Sequence, residues 1–207
     1  DGDTSTNDTL TIMASGKAGN PLIQSDGEDY RAFMQALDAL NTVMAMKIAA
    51  DGEGATHLVE CTVTGAKDVK TARALAKAVI SSSLVKAAIY GRDANCGRIL
   101  CALGYSGCEF DPSRCSVFFS SKKGSARYFD ALQDGIYEVS SSAPEERIEV
   151  VHNGVGLSFD EEKAAAILSE QAVSIEVNLE GLGSAAGRAW GCDLTYDYVK
   201  INGDYRS

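Results

Sequence analysis

Apolar residues recur along this chain with two different periods, and each period predicts a different element. Val59, Cys61 and Val63 alternate with Glu60, Thr62 and Thr64, which predicts a strand with one face buried. The segment Val173-Ser174-Ile175-Glu176-Val177-Asn178-Leu179 repeats that alternation. Elsewhere the spacing is three and four. Tyr30, Phe33, Leu37, Leu40, Met44 and Ile48 fall on one side of a long helix, and that stripe is expected to face the core. Ser25 or Asp26 is expected to cap its first N–H groups, Glu28 and Asp29 suit the positive end of its dipole, and Asp51-Gly52 stops it. Val69, Ala72, Leu75, Ala76, Val79 and Ile80 predict a second amphipathic helix.

Shorter patterns fill the remainder. Thr9–Ser15 reads as a strand ended by Gly16 and a polar turn through Gly19-Asn20-Pro21, and Leu84–Tyr90 reads as another strand. Gly91–Asn95 makes a turn, and Gly97–Leu103 a short helix closed by Gly104. Cys115–Ser120, Ile136–Val139 and Ile148–Val151 are expected strands, and Glu161–Leu168 a short helix. Ala185–Trp190 is expected to be extended, and Tyr196–Ile201 carries a last regular element. Strands and helices alternate without a strict βαβ rhythm, so the pattern predicts a mixed α+β layered fold.

Composition narrows the class. The chain has 207 residues, 45% of them hydrophobic and 23% charged, enough to build a proper core. Its formal net charge of −10 disfavours phosphate backbones and argues against nucleic acid as a partner. No apolar run reaches the roughly 20 residues that a membrane helix needs. The acidic N-terminus, Asp1–Asp8, resembles neither a signal nor a transit peptide, and it lacks an initiator Met, as either a cleavage product or a sequence incomplete upstream would. Six cysteines occur without any C-x-x-C pair, and His57 and His152 are the sole histidines, so zinc spacings are absent and no metal site is expected. The cysteines are expected to be free, buried and reduced.

Four stretches carry more polar chemistry than packing requires. In Asp1-Gly2-Asp3-Thr4-Ser5-Thr6-Asn7-Asp8 the oxygen-rich run has Thr6 and Ile12 where a calcium loop needs Gly and Glu, so a hydrogen-bonding loop is the better reading. In Asp51-Gly52-Glu53-Gly54-Ala55-Thr56, two glycines let the backbone turn sharply and bring Glu53 close to a neighbour. A phosphate loop is excluded there, because no Gly-Lys-Ser/Thr follows and a carboxylate repels phosphate. The third stretch, around Gly91-Arg92-Asp93-Ala94-Asn95-Cys96-Gly97-Arg98-Ile99, is a charged turn able to satisfy its own hydrogen bonds. The fourth, from Ala189 to Ser207, is a terminus rich in aromatic and charged residues that is expected to dock rather than fray.

Taken in order, the DGDTSTND, DGEGAT, GRDANCGRI and WGCDLTYDYVKINGDYR blocks resemble the β subunit of the bifunctional ornithine acetyltransferase (glutamate N-acetyltransferase) family of arginine biosynthesis. The likeness spans residues 1 to 207. It departs at Ala94 and Cys96, where the family often has Pro and Trp, at Ala87, where it often has Thr, and at Ser207, where Thr is common.

The resemblance implies a cytoplasmic enzyme of layered α/β/β/α type, made as one precursor that cleaves itself before a threonine. That threonine takes acetyl from N-acetylornithine, holds it as an ester and passes it to glutamate. No cofactor is implied, although some members accept acetyl-CoA as donor. The nucleophilic threonine and the oxyanion-hole threonines lie outside this chain, so no residue here is expected to be catalytic. Three substrate contacts carry over: Glu53, Asn202 and Ser207. Glu53 would hold an ammonium, and Asn202 and Ser207 would offer neutral hydrogen bonds. Residues 1–57 and 188–207 would belong to the catalytic domain and 58–187 to a smaller α+β domain, with an α chain completing an α2β2 heterotetramer. Two alternatives stand beside this reading. One is a related N-terminal-nucleophile aminopeptidase that releases the acyl group to water, and the other is a binding module without catalysis. The sharpest expectation is geometric: Glu53 and Asn202 should meet.

Overall fold

The computed structural model describes residues 6 and 7, 9 to 122, 145 to 181 and 183 to 204. Helix α1 (Glu28–Ala50) leads into strand β1 (Leu58–Ala66), and α2 (Val69–Ser81), α3 (Ser83–Tyr90) and α4 (Cys96–Gly104) follow. Then come β2 (Cys115–Lys122), β3 (Glu145–His152), β4 (Val155–Gly156), α5 (Glu161–Ile167), β5 (Ala172–Leu179), β6 (Ala185–Cys192) and α6 (Tyr196–Asp204). All six strands join one sheet in the order β4-β3-β2-β5-β1-β6. Among the described residues, only β1 and β5 run parallel, and the other four pairings are antiparallel. The chain is therefore mixed α+β, as the two periods predict. The expected strand at Ile136–Val139 lies outside the described residues.

The alternation in β1 and β5 sorts side chains cleanly between two faces. Cys61, Val63, Ile175 and Val177 turn towards α2, α4 and α5, where they pack with Leu75, Val79, Ile99, Leu103 and Ile167 in one continuous core. Gly187 of β6 lets α2 lie directly on the sheet, since a Cβ there would stand 2.5 Å from the backbone nitrogen of Arg73. The opposite face is polar, and its side chains bond across the strands. Trp190 donates to Glu60 at 2.7 Å, Ser120 donates to Glu176 at 3.1 Å, and Arg147 donates to Glu176 at 2.7 Å while lying 3.7 Å over the Phe118 ring. Thr64 donates to Asn178 in the neighbouring strand.

Several expectations need correction. Leu84–Tyr90 is not a strand but the helix α3. Ser82 caps it through a 3.4 Å bond from the Val85 N–H, and Val85, Ala88 and Ile89 are buried at helical spacing. A short apolar run fits either element by pattern alone, and the cap with Ala87-Ala88 decides for helix. Thr9–Ser15 forms no strand. Its Leu10, Ile12 and Met13 are exposed, and a lone alternating segment has no ladder to join. Neither Ser25 nor Asp26 caps α1. Gly27 takes that position without a side-chain bond, and the Asp26 carboxylate turns instead to Arg31 at 3.3 Å.

The largest difference concerns the α1 stripe. Tyr30, Phe33, Leu40, Met44 and Ile48 are exposed rather than core. The helix touches the sheet only near its C-terminal end, where Val43, Met46, Ala49 and Ala50 pack on Leu58 and Trp190. All six cysteines are free, but only Cys61 and Cys115 are buried, and Cys101 is exposed. Burial pushes the Cys115 thiol up to about 11 and the Cys61 thiol higher still, so both stay protonated and inert. No helix among the described residues is long and apolar enough to cross a membrane.

Candidate functional site

Two chain segments far apart in sequence converge beside the start of β1. The first is the loop from Asp51 to His57 between α1 and β1. The second runs from Asp193 through α6. Gly52 and Gly54 let them touch. A Cβ at Gly52 would lie 2.7 Å from the Cys192 sulfur. Gly54 holds a left-handed φ of +67°, and a Cβ there would lie 2.8 Å from the Tyr198 nitrogen. The glycines that flank Glu53 thus serve a close approach as well as a turn.

Asn202 donates through Nδ2 to Glu53 Oε2 at 2.8 Å, across 149 positions of sequence. The same Nδ2 donates to the Tyr198 carbonyl at 3.0 Å, one helical turn back. Both side chains are exposed. Among the described residues, Glu53 Oε1 and Asn202 Oδ1 have no protein partner. The site therefore leaves one carboxylate oxygen and one amide oxygen available as acceptors, the chemistry that an ammonium group needs. Ser207, the third expected contact, lies outside the described residues, as does most of the DGDTSTND block.

Beneath this pair sits a buried polar network that the sequence reading missed. The Asp193 carboxylate accepts from the Thr56 N–H at 2.8 Å, the Thr56 hydroxyl at 2.5 Å, the His57 N–H at 3.0 Å and His57 Nδ1 at 2.9 Å. His57 Nε2 faces the Leu168 carbonyl at 3.1 Å. The Thr56 hydroxyl also lies 2.8 Å from His57 Nδ1, so both ring nitrogens are engaged within the network. Burial pushes the Asp193 carboxyl up. The side-chain bonds from His57 and Thr56, joined by the two backbone N–H groups, outweigh that effect and hold it below the usual carboxylate range. The available signal was an acidic residue in Cys192-Asp193-Leu194, a short context apolar enough to require a partner.

Thr195 adds a second tie. Its hydroxyl donates to the Gly54 carbonyl at 2.8 Å and accepts from the Tyr198 N–H at 3.2 Å, which caps α6. The charged turn after α3 forms the expected self-satisfied knot. Asn95 accepts from the Arg98 N–H and donates to Asp93, and Arg98 donates to the Leu84 carbonyl at 2.8 Å. Arg92 in this turn holds a left-handed φ of 54°. Tyr90 meets Tyr196 edge to face at 5.6 Å, so α3 also braces α6.

Comparison with known proteins bears on the family of the whole chain. The family model described as ArgJ family matches residues 1–207. The chain is 48% identical over 207 residues to the arginine biosynthesis bifunctional protein ArgJ 1 of Clostridium acetobutylicum, covering 100% of this chain and 45% of the relative. It is 46% identical over 207 residues to the arginine biosynthesis bifunctional protein ArgJ of Thermotoga neapolitana, covering 100% of this chain and 46% of the relative. The chain thus spans about half the length of the curated relatives it matches. The crystal structure of the arginine biosynthesis bifunctional protein ArgJ from Bacillus halodurans has a TM-score of 0.78 and 42% identity to this chain, covering 99% of this chain and 84% of that one. With every residue matched by the family model and relatives this similar over the full chain, the chain belongs to the ArgJ family.

Proposed function

We propose that this chain is the substrate-contacting β portion of an acetyltransferase that moves acetyl from N-acetylornithine to glutamate in arginine biosynthesis, in the cytoplasm. The observation that carries this reading is the meeting of Glu53 with Asn202 at an exposed acceptor pair. Both substrates are amino acids, whose charged groups need matched partners. Glu53, with the Asn202 amide oxygen, would take the free side-chain ammonium of N-acetylornithine, and Ser207 would offer a neutral hydrogen bond to its carboxylate or amide.

The chemistry of the exchange is supplied from outside these residues. A threonine hydroxyl attacks the acetyl carbonyl, the amide C–N bond breaks, and ornithine leaves with the proton. The glutamate amine then attacks the resulting ester and frees the threonine. Backbone or side-chain donors of the α chain would stabilise the oxyanion in both steps. No cofactor is required, and acetyl-CoA is an alternative donor.

The exposed stripe on α1 supports a partner chain. Tyr30, Phe33, Leu40, Met44 and Ile48 present an apolar surface on a helix that, among the described residues, packs on the sheet near its C-terminal end. In this reading, residues 1 to about 57 and 188 to 207 join the α chain in the catalytic domain, residues 58 to 187 form the smaller domain, and two such pairs make a heterotetramer. The 207 residues alone are expected to show no acetyl exchange between N-acetylornithine and glutamate. Co-expression with the remaining half of the family protein is expected to restore it. Turnover by the purified single chain, followed by release of ornithine, would refute the assignment of the nucleophile to the other half.

A further inference from the structure

The bonds around the candidate site close into a ring. Asn202 Nδ2 donates to Glu53 Oε2 and to the Tyr198 carbonyl. The Tyr198 N–H donates to Thr195 Oγ1, and that hydroxyl donates to the carbonyl of Gly54, the residue after Glu53. One buried oxygen atom therefore ties the loop that carries Glu53 to the helix that carries Asn202. We propose that Thr195 is a positioning residue, whose hydroxyl sets the spacing of Glu53 and Asn202 and so the fit of a substrate ammonium between them. This rests on the reading that Glu53 and Asn202 hold the substrate.

The geometry separates this role from plain helix capping. A cap needs only an acceptor for the Tyr198 N–H. Thr195 also donates, and its donor bond goes to the loop rather than to α6. Thr195 is only 4% exposed, so neither bond is exchanged easily for water. Without the hydroxyl, the Gly54 carbonyl loses its partner and Glu53 is free to move relative to Asn202. The Glu53–Asn202 pair is itself exposed, so water competes for its bond.

The test uses the complete two-chain enzyme and the kinetics of acetyl transfer from N-acetylornithine to glutamate. Thr195→Val keeps the shape and removes both bonds. It is expected to raise the KM for N-acetylornithine about ten-fold, with kcat within about two-fold of the parent. Thr195→Ser restores both bonds and is expected to return the KM to the parental value. Gly54→Ala reaches the same contact from the loop side, because its Cβ would press on the Tyr198 nitrogen at 2.8 Å. It is expected to raise the KM in the same way, and it carries the test if Thr195→Val fails to accumulate. A parental KM in Thr195→Val, or in Gly54→Ala where it alone folds, while Glu53→Ala raises the KM, overturns the proposal and leaves the site standing. A parental KM in Glu53→Ala overturns the site itself.

Discussion

In the complete enzyme, Glu53→Ala is expected to raise the KM for N-acetylornithine about 10- to 100-fold, the equivalent of one lost charge-assisted hydrogen bond. The effect should fall on KM more than on kcat. The proposed contact is to an ammonium remote from the acetyl carbonyl, so it holds ground state and transition state alike. Glu53→Gln separates charge from shape. It keeps an acceptor for Asn202 but loses the negative charge, and it should behave much like the alanine variant. Stability should hardly move, because Glu53 is exposed and its bond to Asn202 lies at the surface. Steady-state kinetics beside a thermal melt would separate the two effects. Unchanged kinetics would reject the role assigned to Glu53.

Asp193→Asn is expected to have the largest effect on folding, a loss of about 3–5 kcal/mol in urea unfolding of the complete enzyme. The carboxylate accepts four bonds from Thr56 and His57 in a buried site. An amide in its place turns an N–H group towards these donors and leaves buried N–H and O–H groups without an acceptor. The wild-type carboxyl should also leave a mark on the pH profile. It is held below its ordinary range in the folded chain, so the folded state releases this proton more readily than the unfolded one. The resulting stabilisation is fully present above about pH 4 and is lost as the pH falls through the lower folded value. Asp193→Asn should flatten that acidic limb while neutral-pH stability drops. A variant as stable as the parent at pH 7, with the same acid limb, would remove Asp193 from this role.

How far the sequence led depended on the kind of contact involved. β1 and β5 were legible because one face is core and the other polar, and that difference is written into alternate residues. α2 was legible for the same reason at helical spacing. α3 was misread because eight residues beginning Ser83-Leu84-Val85 hold too little pattern to separate helix from strand, and the Ser82 cap lies outside the apolar run. The α1 stripe is legible as apolar but not as exposed, since periodicity shows that a face is apolar and not what covers it. Glu53 and Asn202 came from family resemblance. No local pattern joins positions 149 residues apart. Asp193, His57 and Thr195 escaped because a buried hydrogen-bond network leaves no periodic trace. Each residue reads alone as an ordinary polar position.

Trp190 is the single tryptophan of the chain, and it stands where α1 lands on the sheet. Its indole N–H is fixed on Glu60 while its ring packs at the foot of that helix. One fluorophore thus stands at the contact between α1 and the sheet. Its emission follows whether α1 is seated on Leu58, with no label to attach and no second indole in this chain to blur the signal.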